Sequence, residues 1–105
     1  MVEHCTQRSV TVRNPQGLHL RPADLLVRMA MQFTCHIEIV KDGERFDGKS
    51  ILSLMTLAAE QGTELVLRAR GPDAAAALDA LAELFGRGFD EMGITEPAND
   101  QLTDG

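Results

Sequence analysis

The sequence predicts an α+β domain in which helices cover one face of a largely antiparallel sheet. Strand-type alternation and helix-type spacing follow each other along the chain in the order β-α-β-β-α-β-α. Each strand segment has one apolar side, so the sheet needs covering on one face only. The chain has 105 residues, of which 44% are hydrophobic, enough for a single core. This pattern predicts a two-layer sandwich but does not specify the order of its strands.

The first strand and the first helix are separated by a turn. Residues 9–13, SVTVR, alternate as a half-buried strand does, and residues 14–17, NPQG, are typical turn formers. The following helix is expected to end near Gln32. It tolerates Pro22 because the first amides of a helix have no intrahelical acceptor. Its buried face is predicted to contain Ala23, Leu26, Val27 and Ala30.

The middle of the chain predicts a β-hairpin. Residues 35–40, CHIEIV, alternate again, with Cys35, Ile37 and Ile39 facing inward. Asp42-Gly43 is a strong signal for a two-residue hairpin turn. Residues 44–49, ERFDGK, are expected to return as a weaker edge strand, because they carry a glycine and several charges.

The remaining elements are a short helix, a strand and a longer helix. Ser50 is suited to the N-cap of the apolar stretch ILSLMTL, which ends before Gln61-Gly62. Residues 64–69, ELVLRA, form a strand with Leu65, Leu67 and Ala69 on its buried side. Residues 71–73 open an amphipathic helix. Its apolar stripe is Leu78, Leu81, Ala82 and Phe85.

Residues 1–92 are expected to form the domain, and residues 93–105 a polar, disordered tail. The net charge is −6 with a pI of about 4.9, which disfavours nucleic acid and favours protein partners with basic patches. The start of the chain does not resemble a signal peptide, and no apolar run approaches the length of a membrane span. We therefore expect a soluble cytoplasmic protein without membrane insertion.

The two cysteines and the histidines offer few sites for metal or cofactor chemistry. Cys5 and Cys35 have no metal-binding spacing and are expected to be reduced thiols. His4 and His36 are interpreted as structural. No metal cluster, paired carboxylates or second nucleophile is visible. We therefore expect neither a metal site nor a cofactor, and no self-sufficient active site.

The stretch GLHLRPA, residues 17–23, contains the strongest functional candidate. His19 lies where the turn ends and the helix begins, so the amides of Leu20 and Arg21 should be free donors at the positive end of the helix dipole. A phosphoryl dianion on the imidazole would lie in that field, and Arg21 could add a planar fork of donors. Local spacing alone favours the alternative, a surface histidine beside a solvated arginine.

Two segments together resemble a known family. GLHLRPA and, further on, GKSILSLMTLAAEQGTEL are similar to the signatures of the histidine-containing phosphocarrier proteins, HPr, of the bacterial phosphoenolpyruvate-dependent phosphotransferase system. The resemblance spans residues 9–90. It implies an open-faced sandwich of four antiparallel strands with helices on one side. It also implies that His19 accepts phosphate on Nδ1 and that Arg21 lies beside the phosphoryl group.

The resemblance also implies partners. The donor would be phosphorylated Enzyme I, and the acceptors would be EIIA domains or regulatory proteins. The chain would then be a monomeric carrier rather than an enzyme. Ser50 matches the position that a dedicated serine kinase/phosphorylase modifies in part of the family. Its plain N-cap role is the alternative, and the sequence leaves that choice open.

The family's exposed apolar docking patch is matched by Ile51, Leu52 and Met55, while Leu54 and Leu57 are expected in the core. Leu25 and Met29 lie outside the buried stripe of the first helix and are expected to extend the patch.

Two departures from the family pattern concern the pathway rather than the chemistry. Leu20 stands where the family often has a small residue or Thr, and it is expected to influence the choice of partner. The segment LAELFGRGFDE resembles the nitrogen-related branch. The alternative to sugar uptake is therefore a nitrogen/carbon-regulatory carrier or docking module.

Overall fold

The computed structural model describes residues 5–91, and the predictions for His4 and for the tail 93–105 lie outside them. Within the described residues, the strands are Cys5–Thr11 (β1), His36–Lys41 (β2), Glu44–Asp47 (β3) and Glu64–Arg70 (β4). The helices are Leu20–Ala30 (α1), Ile51–Leu57 (α2) and Ala74–Gly86 (α3), followed by a 3₁₀ turn over Gly88–Asp90.

All four strands form one antiparallel sheet in the order β1-β4-β2-β3. The long central strand β4 pairs with β1 on one side and with β2 on the other, and β3 lies at the edge, as expected. The β2–β3 hairpin turns through Asp42 and Gly43 with φ of 51° and 82°. Two successive left-handed residues are typical of the turn that matches the twist of a hairpin.

The core lies between the sheet and the three helices. Ile37 and Ile39 on β2 are buried, whereas the residues that alternate with them are half-buried or exposed. Strand β4 shows the same alternation. The predicted α+β sandwich with helices on one face is thus confirmed. Helices α1 and α3 contribute the predicted stripes, of which Val27 and Ala82 are only partly buried.

Strand β1 is longer than its sequence predicts. It pairs with β4 from Cys5↔Arg70 to Thr11↔Glu64, whereas the prediction was residues 9–13. The segment CTQR has no apolar alternation, because its strand lies at the sheet edge and Arg8 pairs with Asp79 of α3 instead of entering the core. The strand ends at Thr11 rather than at Arg13, and Val12, just beyond it, is buried.

Asp73 joins the start of α3 to the start of β2. Its carboxylate accepts hydrogen bonds from the backbone amides of Thr34 at 2.8 Å and Cys35 at 2.9 Å. The bond from the Thr34 amide is the main reason that the pKa of Asp73 is lowered. Burial, assisted by Asp73, raises the pKa of the Cys35 thiol to about 11, so this thiol is protonated and unreactive at neutral pH.

Candidate functional site

His19 is the N-cap residue of α1. Its backbone is extended, with φ −83° and ψ −170°, and its carbonyl accepts the first intrahelical hydrogen bond from Ala23 at 3.0 Å. The imidazole makes no capping bond. The amides of Leu20 and Arg21 have no intrahelical acceptor, since they belong to the first turn. The helix start therefore has the donors and the dipole that the sequence predicted.

The loop before His19 is fixed against the connection between α2 and β4. Leu18 donates a backbone hydrogen bond to the carbonyl of Ala59 at 2.8 Å. Gly17 has φ of +74°, and a Cβ atom there would lie 2.5 Å from the same carbonyl oxygen. Only glycine fits this close approach without displacing backbone. The position of His19 thus depends on a glycine of the GLHLRPA segment.

The ring of His19 is held by a carboxylate from the other end of the described chain. Its Nε2 lies 3.0 Å and 3.1 Å from the two carboxylate oxygens of Glu91. The side chain of His19 is 36% exposed and that of Glu91 only 12%. The ring is therefore open to a partner on one side and anchored on the other.

Asn14 completes this arrangement. It is fully buried, and its amide nitrogen donates to the Gly17 carbonyl at 2.6 Å and to Glu91 at 2.9 Å. Asn14 was predicted only as part of a turn, and Glu91 was not predicted as a site residue. Glu91 is 72 residues from His19, and no local pattern indicates that they meet. We call the polar cluster of His19, Glu91 and Asn14 the histidine network.

Arg21 lies in the first turn of α1, two residues after His19, and is exposed. Among residues 5–91 it has no hydrogen-bond or ion-pair partner. Its guanidinium is therefore not neutralised by a described carboxylate, whereas Arg28 on the same helix pairs with Asp24 at 2.8 Å. An uncommitted guanidinium is suited to binding an incoming anion.

Ser50 is the N-cap of α2, as predicted. Its Oγ accepts a hydrogen bond from the Ser53 amide at 3.1 Å, and its side chain is half-buried. The neighbouring Lys49 donates to the Phe33 carbonyl at 2.7 Å, which ties the start of α2 to the end of the α1 segment. The structural role of Ser50 is thus confirmed, and its modification remains a prediction.

The residues predicted for docking differ in accessibility. Leu52 is 81% exposed, Leu20 is 60% exposed and Met55 is 41% exposed, while Leu54 and Leu57 are buried as expected. Ile51, Leu25 and Met29 are only half-buried, and the last two pack partly against the core. Helices α1 and α2 contact each other, so the exposed apolar side chains lie on neighbouring elements. We call Leu20, Leu52 and Met55 the exposed apolar set.

Residues 5–91 contain no group of three or more metal-ligating side chains arranged to hold an ion. No helix in that part of the chain is long and apolar enough to cross a bilayer.

Comparison with known proteins identifies the family. The family model "PTS HPr component phosphorylation site" matches residues 6–87. The chain belongs to the HPr family. The phosphocarrier protein HPr of Treponema pallidum is 44% identical over 84 residues, which are 80% of this chain and 96% of that protein.

Solved structures of the family share the fold. HPr from Thermoanaerobacter tengcongensis superposes with a TM-score of 0.79 at 36% identity, over 82% of this chain and 97% of its own. Crh, the catabolite repression protein of Bacillus subtilis, is 43% identical over 78% of this chain and 94% of its own, with a TM-score of 0.65. In that crystal structure Crh is a domain-swapped, intertwined dimer. The phosphocarrier fold is therefore shown for this chain.

Proposed function

We propose that this HPr family member carries a phosphoryl group on His19, which it accepts from phosphorylated Enzyme I and passes to an EIIA-type acceptor. The observation that supports this most is the place of the ring. His19 lies at the N-terminus of α1, is partly exposed, and is anchored through Nε2 to Glu91. The other ring nitrogen, Nδ1, is the one left for transfer.

The helix start supplies moderate stabilisation of the phosphoryl group. A negative charge at a helix N-terminus gains about 0.3–1 kcal/mol at an exposed site. A charge-assisted hydrogen bond from Arg21 would add about 1.5–3 kcal/mol. These amounts favour formation of the phosphohistidine without trapping it, which is what a carrier requires.

The chain acts as a carrier and not as an enzyme in this proposal. Its contribution is to position the ring and stabilise charge, and the partners supply the remaining catalytic groups. The exposed apolar set on α1 and α2 provides a surface for brief docking to several partners, helped by the adaptable side chain of Met55. We expect the working form to be a monomer in the cytoplasm, in contrast to the crystallised Crh dimer, and light scattering in solution would test its oligomeric state.

A second candidate function is regulatory docking in nitrogen or carbon control rather than sugar uptake. Its support is the similarity to Crh, a catabolite repression protein, together with the half-buried Ser50 at the α2 N-cap. Phosphorylation there by a serine kinase would add about −1.5 to −2 charges at a helix start, where they are tolerated. The same charge would lie next to Ile51 and Leu52 and alter docking. Incubation with such a kinase and ATP, followed by mass spectrometry of wild type and Ser50→Ala, tests this.

The phosphocarrier proposal is tested by direct labelling. Incubation with Enzyme I and labelled phosphoenolpyruvate is expected to give acid-labile, alkali-stable label on the wild type and on His36→Ala, the matched control on β2. His19→Ala is expected to give none. Label that persists in His19→Ala would show that another residue is the acceptor.

Arg21→Ala is expected to slow phosphorylation of His19 by about 10-fold or more, since it removes a charge-assisted donor. Its melting temperature should stay close to that of the wild type, because Arg21 is exposed and has no partner among residues 5–91. Arg45→Ala, an exposed arginine on β3, is the control. Unfolding of Arg21→Ala, or an unchanged rate, would contradict the proposed role.

A further inference from the structure

The histidine network contains two residues that neither family signature marks. We propose that Glu91, held by Asn14, is a positioning residue that keeps the proton of the His19 ring on Nε2 and thereby leaves the Nδ1 lone pair as the nucleophile. This inference rests on the proposed function for the identity of the reaction. The ring geometry itself can be tested without any transfer assay.

The hydrogen-bonding capacity of the two groups fixes the tautomer. Nε2 of His19 lies within 3.1 Å of both carboxylate oxygens of Glu91. An ionised carboxylate can only accept hydrogen bonds, so Nε2 must donate. In the neutral ring the proton is then on Nε2, and Nδ1 carries the free lone pair.

Asn14 immobilises the carboxylate before the reaction begins. Its amide nitrogen donates to Glu91 at 2.9 Å and to the Gly17 carbonyl at 2.6 Å. Both partners are acceptors, which defines the orientation of the buried amide. One side chain therefore ties Glu91 to the loop that leads into His19. The ring is held in one orientation at no further entropic cost when the donor arrives.

The turn that brings Glu91 to the ring has an uncommon backbone conformation. Phe89 and Asp90, directly before Glu91, have φ of 55° and 63°, which is uncommon for residues other than glycine. Phe89 is fully buried and packs edge-on against Phe85, with ring centroids 4.9 Å apart. Buried packing thus maintains an unfavourable backbone conformation, and such strain typically persists where it serves a site.

The same carboxylate favours the phosphorylated state. In the transfer, the Nδ1 lone pair forms a bond to phosphorus, while the bond from phosphorus to the donor's leaving atom breaks and its electron pair returns to the donor. Nε2 keeps its proton, so the phosphorylated ring carries one positive charge. That charge faces Glu91, and a hydrogen bond between two charged groups is stronger than one to a neutral ring.

The test compares Glu91→Gln with Glu44→Gln, a matched control at an exposed position of β3. A Gln amide has nearly the same shape but can either donate or accept and carries no charge. Nitrogen-15 NMR of the ring is expected to show a slowly exchanging Nε2 proton in the wild type and in Glu44→Gln. In Glu91→Gln the Nε2 proton should exchange faster and the Nδ1-protonated tautomer should increase, because an uncharged amide oxygen is a weaker acceptor than a carboxylate. Phosphorylation should slow about tenfold.

Each outcome is decisive. Ring spectra of Glu91→Gln that match those of Glu44→Gln would overturn the inference, even if its phosphorylation were slower, because the role would then be structural. If the wild type shows the expected ring spectrum but takes no label on His19, the proposed function fails and the tautomer assignment stands. If Glu91→Gln does not fold, Glu91→Asp draws the carboxylate back by one methylene and must show the same spectral change.

Discussion

At the scale of single residues, the site depends on a few positions where one side chain, or its absence, is required. Gly17 allows the loop to touch the Ala59 carbonyl, and Asn14 fills a buried position that connects two acceptors. His19 and Arg21 were predicted from the sequence because a turn followed by a helical pattern places them at a helix start, and because GLHLRPA resembles the HPr signature. Glu91 was not, because only the folded chain brings it to the ring.

Gly17→Ala is expected to lower both stability and the rate of phosphorylation. An alanine at φ +74° costs about 1–2 kcal/mol, and its Cβ atom would in addition collide with backbone 2.5 Å away. Gly43→Ala is the matched control, because its φ is +82° but no atom lies within 4 Å of the added Cβ. Urea unfolding should show a larger loss for Gly17→Ala. Equal losses would mean that the close approach is unimportant.

At the scale of elements, helix ends connect parts of the chain that are distant in sequence. Asp73 binds the amides that lead into β2, and Lys41 on β2 donates to the carbonyls of Leu57 and Ala58 at the end of α2. The sequence placed Ser50 correctly at its N-cap, since that role is local. It gave no signal for the bonds of Asp73, because their partners lie 38 and 39 residues away.

The depressed pKa of Asp73 predicts a contribution to stability that depends on pH. The ionised carboxylate is favoured in the folded state, so its contribution is present above its ordinary pKa of 3.8 and is lost as the pH falls through the lower folded-state pKa. Asp73→Asn is therefore expected to be less stable than the wild type at pH 7, and the difference should shrink towards pH 2.

Urea unfolding at several pH values measures this effect. Asp79→Asn is the control, because Asp79 forms an exposed ion pair with Arg8, and such pairs contribute little. A difference between the wild type and Asp73→Asn that stays constant from pH 7 to pH 2 would contradict the account.

At the scale of the whole molecule, the alternation of Ile37 with Ile39 and of Leu65 with Leu67 was enough to predict a sheet covered on one side. The order β1-β4-β2-β3 was not predictable, because it depends on which strands pair across long connections. The same limit applies to the start of β1, where polar residues at an edge carry no periodic signal. Exposed side chains on α1 and α2 then form the surface that partners would meet.

Leu52→Asp is expected to weaken docking to Enzyme I and leave the fold intact. Leu52 is 81% exposed and is the second residue of α2, where a negative charge suits the helix dipole. The Michaelis constant for this protein as substrate of Enzyme I should rise severalfold. Met31→Asp, at the far end of α1 from His19, is the control and should lose less than about 1 kcal/mol of stability. Unchanged kinetics in Leu52→Asp would exclude this surface from docking.

The separation of 72 residues between the imidazole and its carboxylate has a consequence for protein synthesis. A chain still emerging from the ribosome exposes the histidine early but lacks the residue that orients its ring. Unfinished or truncated copies would therefore be poor substrates of the phosphoryl donor, and mainly completed molecules would be phosphorylated.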